Sequence, residues 1–153
     1  MPTIETEYLF TMNLNVASPI PNLGQTPFGQ RLIARVTGGT VEGPKLTGKV
    51  HDGGGDWLLN RADGATQLDV RLTIEAANGD LIYVTYRGVR HGPADVMARL
   101  AAGESVDPAS YYFRMAPFFE TASEEHGWLN RIVAVGKGRR EPTGPIYDVF
   151  QVL

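Results

Sequence analysis

Apolar and polar side chains alternate one by one through most of this chain, and that period of two sets the fold class. From Tyr8 to Val16 every even position is apolar (Tyr8, Phe10, Met12, Leu14, Val16), with Thr11, Asn13 and Asn15 between them. Such a stretch reads as a strand with one dry and one wet face. Further strands are predicted over 31–37, 46–50, 56–61, 67–75, 81–89, 111–117, 118–121, 128–137 and 146–153, with a loop over 17–29. Glycines and prolines punctuate them, at Gly38-Gly39, Gly43-Pro44 and Gly53-Gly54-Gly55 among others. One helix is predicted over 93–102, with Pro93 early, Asp95 near its positive end and Gly103 as the stop. Eight to ten strands, one short helix and no internal repeat or linker give a single domain over 1–153. An all-β, closed or nearly closed antiparallel β-barrel is the expected architecture, because it leaves few bare sheet edges.

The segments 67–75 and 81–89 read as a hairpin across Ala77-Asn78-Gly79. A two-residue Asn-Gly turn would set Arg71 beside Tyr86 and mix polar with apolar side chains. A three-residue turn with Gly79 left-handed aligns Val70, Leu72 and Ile74 with Ile82, Val84 and Tyr86. The other face then carries Asp69, Arg71, Thr73, Tyr83, Thr85 and Arg87. A one-residue slip would flip every side chain, so the second register is preferred. Which face of the 68–74 strand points inward stays open, although apolar residues usually fill a barrel.

Composition narrows the function classes. A chain of 153 residues buries roughly 68–70% of its unfolded surface, so the core needs neither a disulfide nor a metal to hold it. With no cysteine, thiolate metal sites and cysteine nucleophiles are excluded. A net charge of -3 argues against a broad basic surface for nucleic acid. The first residues lack a basic, then apolar, leader, and no uncharged run is apolar enough for a membrane helix. The expectation is a cytoplasmic protein without nucleic-acid or membrane partners.

Several motifs have dull readings that outweigh the sharp ones. Gly43-Pro-Lys-Leu-Thr-Gly48-Lys49-Val50 nearly spells a phosphate loop, but Val50 has no hydroxyl for magnesium and no helix follows. Gly136-Lys137-Gly138-Arg139-Arg140 reads as a charged hairpin tip, with anion binding as its alternative. His51, His91 and His126 show no metal spacing; His51, Asp52, Asp56 and Glu120 would have to assemble in space to hold an ion. No Gly-x-Ser-x-Gly occurs. Neither a metal nor a cofactor is expected. What remains are charged and aromatic residues set in strands: Asp56-Trp57, Asp69, Arg71, Tyr83, Arg87, Tyr112-Phe113-Arg114, Phe119-Glu120 and Trp128-Leu129-Asn130. On an exposed sheet they are a wet face. Inside a barrel of about eight strands they could surround one small ligand, where buried carboxylates acquire shifted pKa values.

Gln25-Thr-Pro-Phe-Gly-Gln-Arg31, Gly39-x-x-x-Gly43-Pro44, Gly53-Gly-Gly-Asp-Trp57, Arg61-x-Asp63-Gly64, Leu68-Asp69-x-Arg71, Tyr112-Phe113-Arg114, Phe119-Glu120-Thr121 and Trp128-Leu129-Asn130 follow one another along nearly the whole chain. In that order they resemble the bacterial and fungal family called domain of unknown function 3237. The resemblance implies a lipocalin-like β-barrel met as a homo-oligomer, such as a dimer. It also implies, through a fungal branch, chalcone isomerase chemistry: closure of an aryl enone by a phenol oxygen, with no cofactor. The matching positions are Asp56, Trp57, Asp69, Arg71, Arg114, Glu120, Trp128 and Asn130.

Two functional readings stand at this point. One is a cofactor-independent lyase or isomerase acting on a small aromatic or unsaturated carbonyl compound. Glu120 or Asp56 would move the proton, and Arg71 and Arg114 would stabilise the oxyanion. Trp57, Trp128 and Tyr112 would form aromatic walls, with Tyr83 and Asn130 orienting the substrate and Asp69 among the residues that bind it. The other is a non-catalytic barrel that binds or carries a small molecule. A purely structural role, with an apolar outer face joining copies of the chain, is a third.

Overall fold

Ten strands form where the alternation runs. A computed structural model describes residues 1–153. The strands are β1 (Thr6–Val16), β2 (Asn22–Thr26), β3 (Gly29–Glu42), β4 (Gly48–Val50), β5 (Gly54–Asn60), β6 (Thr66–Ala76), β7 (Leu81–His91), β8 (Tyr112–Thr121), β9 (Ala134–Glu141) and β10 (Gly144–Val152). One helix, α1 (Ala94–Ala101), lies between β7 and β8 and buries Val96 and Leu100. All pairings are antiparallel, in the order β1-β10-β9-β8-β7-β6. β4 and β5 then share the place between β6 and β3, and β3 closes on β1. The result is a closed eight-position barrel with two extra strands, β2 being hydrogen-bonded to β3 alone. Closure needs Gly39 opposite Leu14, because a Cβ on Gly39 would lie 2.1 Å from the Asn13 carbonyl oxygen.

The hairpin register is the segregating one. Val70, Leu72 and Ile74 stand opposite Tyr86, Val84 and Ile82, and Gly79 holds a positive φ of 91° in the three-residue turn. The even-numbered residues of β6 and β7 point inward, where Val70, Ile74, Ile82 and Val84 are at most 1% exposed. Asp69 and Arg71 therefore sit on the outer face. In β1 the simple alternation fails at one place. A bulge between Tyr8 and Phe10 turns both Leu9 and Phe10 inward and leaves Tyr8 38% exposed.

Three strand expectations need correction. Residues 22–26, expected as loop, form β2. The expected break before Phe118 is absent, and β8 runs unbroken through Pro117. Trp128 does not begin a strand: Gly127–Arg131 is a 3₁₀ turn. The Asn130 side chain locks that turn, its Oδ1 accepting from Thr121 N (2.8 Å) and its Nδ2 donating to Thr121 O (2.9 Å). No helix is long and apolar enough to cross a membrane.

The barrel interior has two unlike halves. Toward one end lie Phe10, Met12, Val41, Ile74, Ile82, Phe119 and Leu129, a hydrocarbon plug. Toward the other, β7 continues inward from Val84 to Tyr86 and Arg90, β9 contributes Arg140, β10 Tyr147 and β5 Asp56.

Candidate active site

The polar half of the interior is a small chamber. Asp56, Tyr86, Arg90, Phe113, Arg140 and Tyr147 line it together with Leu14, Val16, Ile20, Ala34, Val36, Leu58, Leu68, Val70 and Pro145. The open space is about 20 Å³, room for one water-sized group. Strand parity places each polar residue. Asp56 shares the inner face of β5 with Leu58, and Arg140 shares that of β9 with Gly136 and Gly138. These two glycines matter sterically, since a Cβ would meet Met115 Sδ at 2.5 Å and the Phe113 ring at 2.9 Å. Phe113 thus lies against β9, with the Arg90 guanidinium 5.4 Å from its ring centroid and Tyr147 edge-on at 5.3 Å. The backbone N–H of Arg140 donates to the Tyr111 hydroxyl at 2.8 Å, which fixes that strand end.

Three buried polar atoms in this chamber have no hydrogen-bond partner: Tyr86 Oη, Tyr147 Oη and Arg90 Nε. The two phenol rings meet edge-on, centroids 5.3 Å apart, and each hydroxyl shifts the pKa of the other. Unpaired buried donors cost roughly 1–3 kcal/mol each, so their concentration in one place is unusual for a barrel interior. Burial raises the pKa of both phenols, Tyr86 well above the usual tyrosine range, so both stay O–H donors. Burial, then the neighbouring Arg140 cation, lowers Arg90 from the usual arginine range.

Asp56 is the titrating member. Its pKa rises from 3.8 to about 6, chiefly because burial penalises the carboxylate. The Asp69 amide, which donates to Oδ1 at 3.1 Å, opposes the rise, as do Arg90 and Arg140. A carboxyl near 6 can both take and give a proton around neutrality.

Of the residues given a catalytic or binding role from sequence, Asp56 alone lies in the chamber, joined there by Phe113 of the Tyr112-Phe113-Arg114 motif. Arg71 and Glu120 are exposed on the outer face; Tyr83, opposite Glu120, is 38% exposed. Arg71, Asp69 and Tyr83 line a shallow outer groove with Arg87 and Phe118. Trp57 points outward, 40% exposed. Arg114 is half-buried on the outside, over the Tyr112 ring at 5.0 Å, and its Nη1 donates to the Phe113 carbonyl at 2.9 Å. Tyr112 in turn stacks on His91 at 5.1 Å. Trp128 is half-buried against the core from the 3₁₀ turn, and Asn130 is spent on Thr121. The physical reason is strand parity: in β5 to β8, Trp57, Asp69, Arg71, Tyr83, Tyr112, Arg114 and Glu120 fall on the face opposite the buried series. The conceivable four-residue metal site is dispersed too. His51 contacts Glu75 at 3.0 Å, Asp52 pairs with Arg35 at 2.7 Å, Asp56 is inside and Glu120 outside.

The missed members are Tyr86, Arg90, Arg140 and Tyr147. Tyr86 and Arg90 continue the inward series Ile82, Val84 of the preferred hairpin register. Arg140 was hidden in the Gly136–Arg140 run read as a hairpin tip, which the structure corrects to the inner-facing strand β9.

The model described as protein of unknown function (DUF3237) matches residues 4–152. The chain belongs to this family. A UPF0311 protein of Rhodopseudomonas palustris is 34% identical over 152 residues, 99% of each chain. A solved structure from that organism superposes with a TM-score of 0.96 at 34% identity, covering both chains completely. A β-barrel-like protein of Acinetobacter baumannii gives 0.86 at 38% identity, over 100% of this chain and 98% of that one. More distant is a hydroalkoxylation enzyme of Penicillium herquei, 29% identical over 131 residues, 85% of this chain and 71% of the relative. The structure of an enzyme from the same fungus has a TM-score of 0.75 at 25% identity, over 100% and 98% of the chains. A relative of this chain is thus named as an enzyme.

Proposed function

We propose that this DUF3237 protein is a cofactor-independent lyase or isomerase in which Asp56 moves a proton on a small aromatic or unsaturated carbonyl compound. The observation that carries the reading is the meeting of this carboxyl with three unpartnered donors in one sheltered chamber. The fungal hydroalkoxylation relative supports it, since hydroalkoxylation adds an O–H across a double bond.

The chemistry balances without a redox partner. A substrate hydroxyl gives its proton to the Asp56 carboxylate as its oxygen bonds to the far carbon of a conjugated C=C. The displaced π electrons collect on the carbonyl oxygen as an enolate, which Tyr86, Tyr147 and Arg90 hold by donation. Asp56 then returns the proton to the adjacent carbon, and the reverse sequence is an elimination. Val16, Ile20, Leu58 and Pro145 supply the apolar surface for the rest of the substrate. Association of copies belongs to the proposal as well, supported by the exposed Trp57, Tyr83 and Phe118 on the outer face.

Incubation with a panel of phenolic enones, beginning with 2′-hydroxychalcone and followed by loss of its near-ultraviolet band, tests the reading. Catalysed ring closure is expected. Arg71→Ala and Glu120→Gln, on the outer face, should retain turnover within about threefold, because they touch nothing in the chamber. Return of every bound enone unchanged would replace the enzyme with a carrier, and collapse of turnover in Glu120→Gln would move the site outside.

A further inference from the structure

The chamber is electrostatically unbalanced. Two guanidinium groups, Arg90 from β7 and Arg140 from β9, act on one internal carboxyl, Asp56. The other groups around that carboxyl are the neutral phenols of Tyr86 and Tyr147 and, from β6, the outward-facing Asp69. Its neighbour across β3 is Ala34, which brings no charge. With Asp56 ionised, a second anion entering this poorly solvated space meets a carboxylate. With Asp56 protonated, it meets two cations and an array of donors.

We propose that the chamber binds the oxyanion of a planar aromatic ligand and takes up one proton at Asp56 as it does so. The oxygen enters the water-sized space lined by Tyr86, Arg90, Arg140 and Tyr147, and the side chains turn their donors to it. The ring displaces Ile20, the one lining residue held in a loop instead of a strand. The coupling is reciprocal: an anion raises the proton affinity of Asp56, so a proton raises affinity for the anion. Because burial raises the pKa of Asp56 to about 6, affinity should decline by up to tenfold per pH unit above that value. This inference rests on the chamber being the ligand site of the proposed function, and not on turnover.

Benzoate, ionised throughout the range, and benzamide, its neutral counterpart, are the probes. Titration calorimetry from about pH 5 to about pH 8, in two buffers of different ionisation enthalpy, reads affinity and protons taken up together. Benzoate should bind at least about tenfold tighter than benzamide at the acid end, lose on the order of 100-fold by the alkaline end, and take up close to one proton above neutrality. Asp56→Asn should bind benzoate with no proton uptake and a flat pH dependence. Arg140→Gln should weaken benzoate and leave benzamide unchanged. Equal affinity for the two probes, or benzoate binding without proton uptake, overturns the inference. Failure of benzoate to bind while enone turnover persists overturns it and leaves the enzyme reading standing. Proton-linked benzoate binding with no enone turned over does the reverse.

Discussion

Asp56→Asn is expected to abolish most turnover and yet make the protein more stable. Loss of the proton-transferring carboxyl should lower kcat by about 10²–10⁴-fold, the range a positioned general acid–base contributes. The stability effect follows from the raised pKa. The folded protein holds a proton on Asp56 between pH 3.8 and about 6 that the unfolded chain has released. Stability therefore falls as pH rises through that window and stays lower above it. A shift from 3.8 to about 6 corresponds to roughly 3 kcal/mol of strain at neutral pH, as an upper figure. Asn keeps an oxygen for the Asp69 amide and carries no charge. Urea unfolding should find the variant more stable by about 1–3 kcal/mol at about pH 8, and indistinguishable from the parent at about pH 3. A variant with full activity, or one destabilised at pH 8, contradicts the role given to Asp56.

The second large effect is at the phenols. Tyr86→Phe and Tyr147→Phe each delete a buried hydroxyl that has no partner and leave the ring contacts among Tyr86, Tyr147 and Phe113 in place. Removing one donor from an oxyanion site typically lowers kcat by about 10²–10³-fold. Removing an unsatisfied buried hydroxyl is neutral or stabilising, by up to about 1–2 kcal/mol. The pair of readouts separates a functional donor from a structural one. Were either hydroxyl part of the structural framework, its loss would lower stability and spare turnover.

These opposed effects show how the sequence conveys the barrel more fully than the site. The hairpin register was legible because one alignment separates Val70, Leu72, Ile74, Ile82, Val84 and Tyr86 from every charged residue, and burial of that face is decisive for a closed sheet. The bulge at Tyr8/Phe10 was not, since it leaves the alternating sequence unchanged and depends on how β1 meets β10. The site was legible at Asp56 and Phe113 alone. Asp56 stood out in Gly53-Gly-Gly-Asp-Trp57, but its conspicuous neighbours Trp57, Arg71 and Glu120 belong to the outer face. Arg90 and Arg140 obey strand parity and are inside, against the general rule that arginines stay in solvent. What makes them tolerable there is local: the Phe113 ring beneath Arg90, the two glycines that admit Phe113, and the carboxyl of Asp56. None of these contacts is adjacent in sequence. Trp128 and Asn130 were misplaced because a 3₁₀ turn is fixed by a side-chain lock to Thr121, which no period reveals.

The most direct measurement is a titration of the Asp56 carboxyl carbon by ¹³C NMR, assigned by its absence in Asp56→Asn. The account predicts an apparent pKa of about 6, moving higher when benzoate is added. A value near the ordinary 3.8, unmoved by benzoate, would mean that Asp56 is solvated and remote from any ligand, and would contradict the placement of the active site inside the barrel.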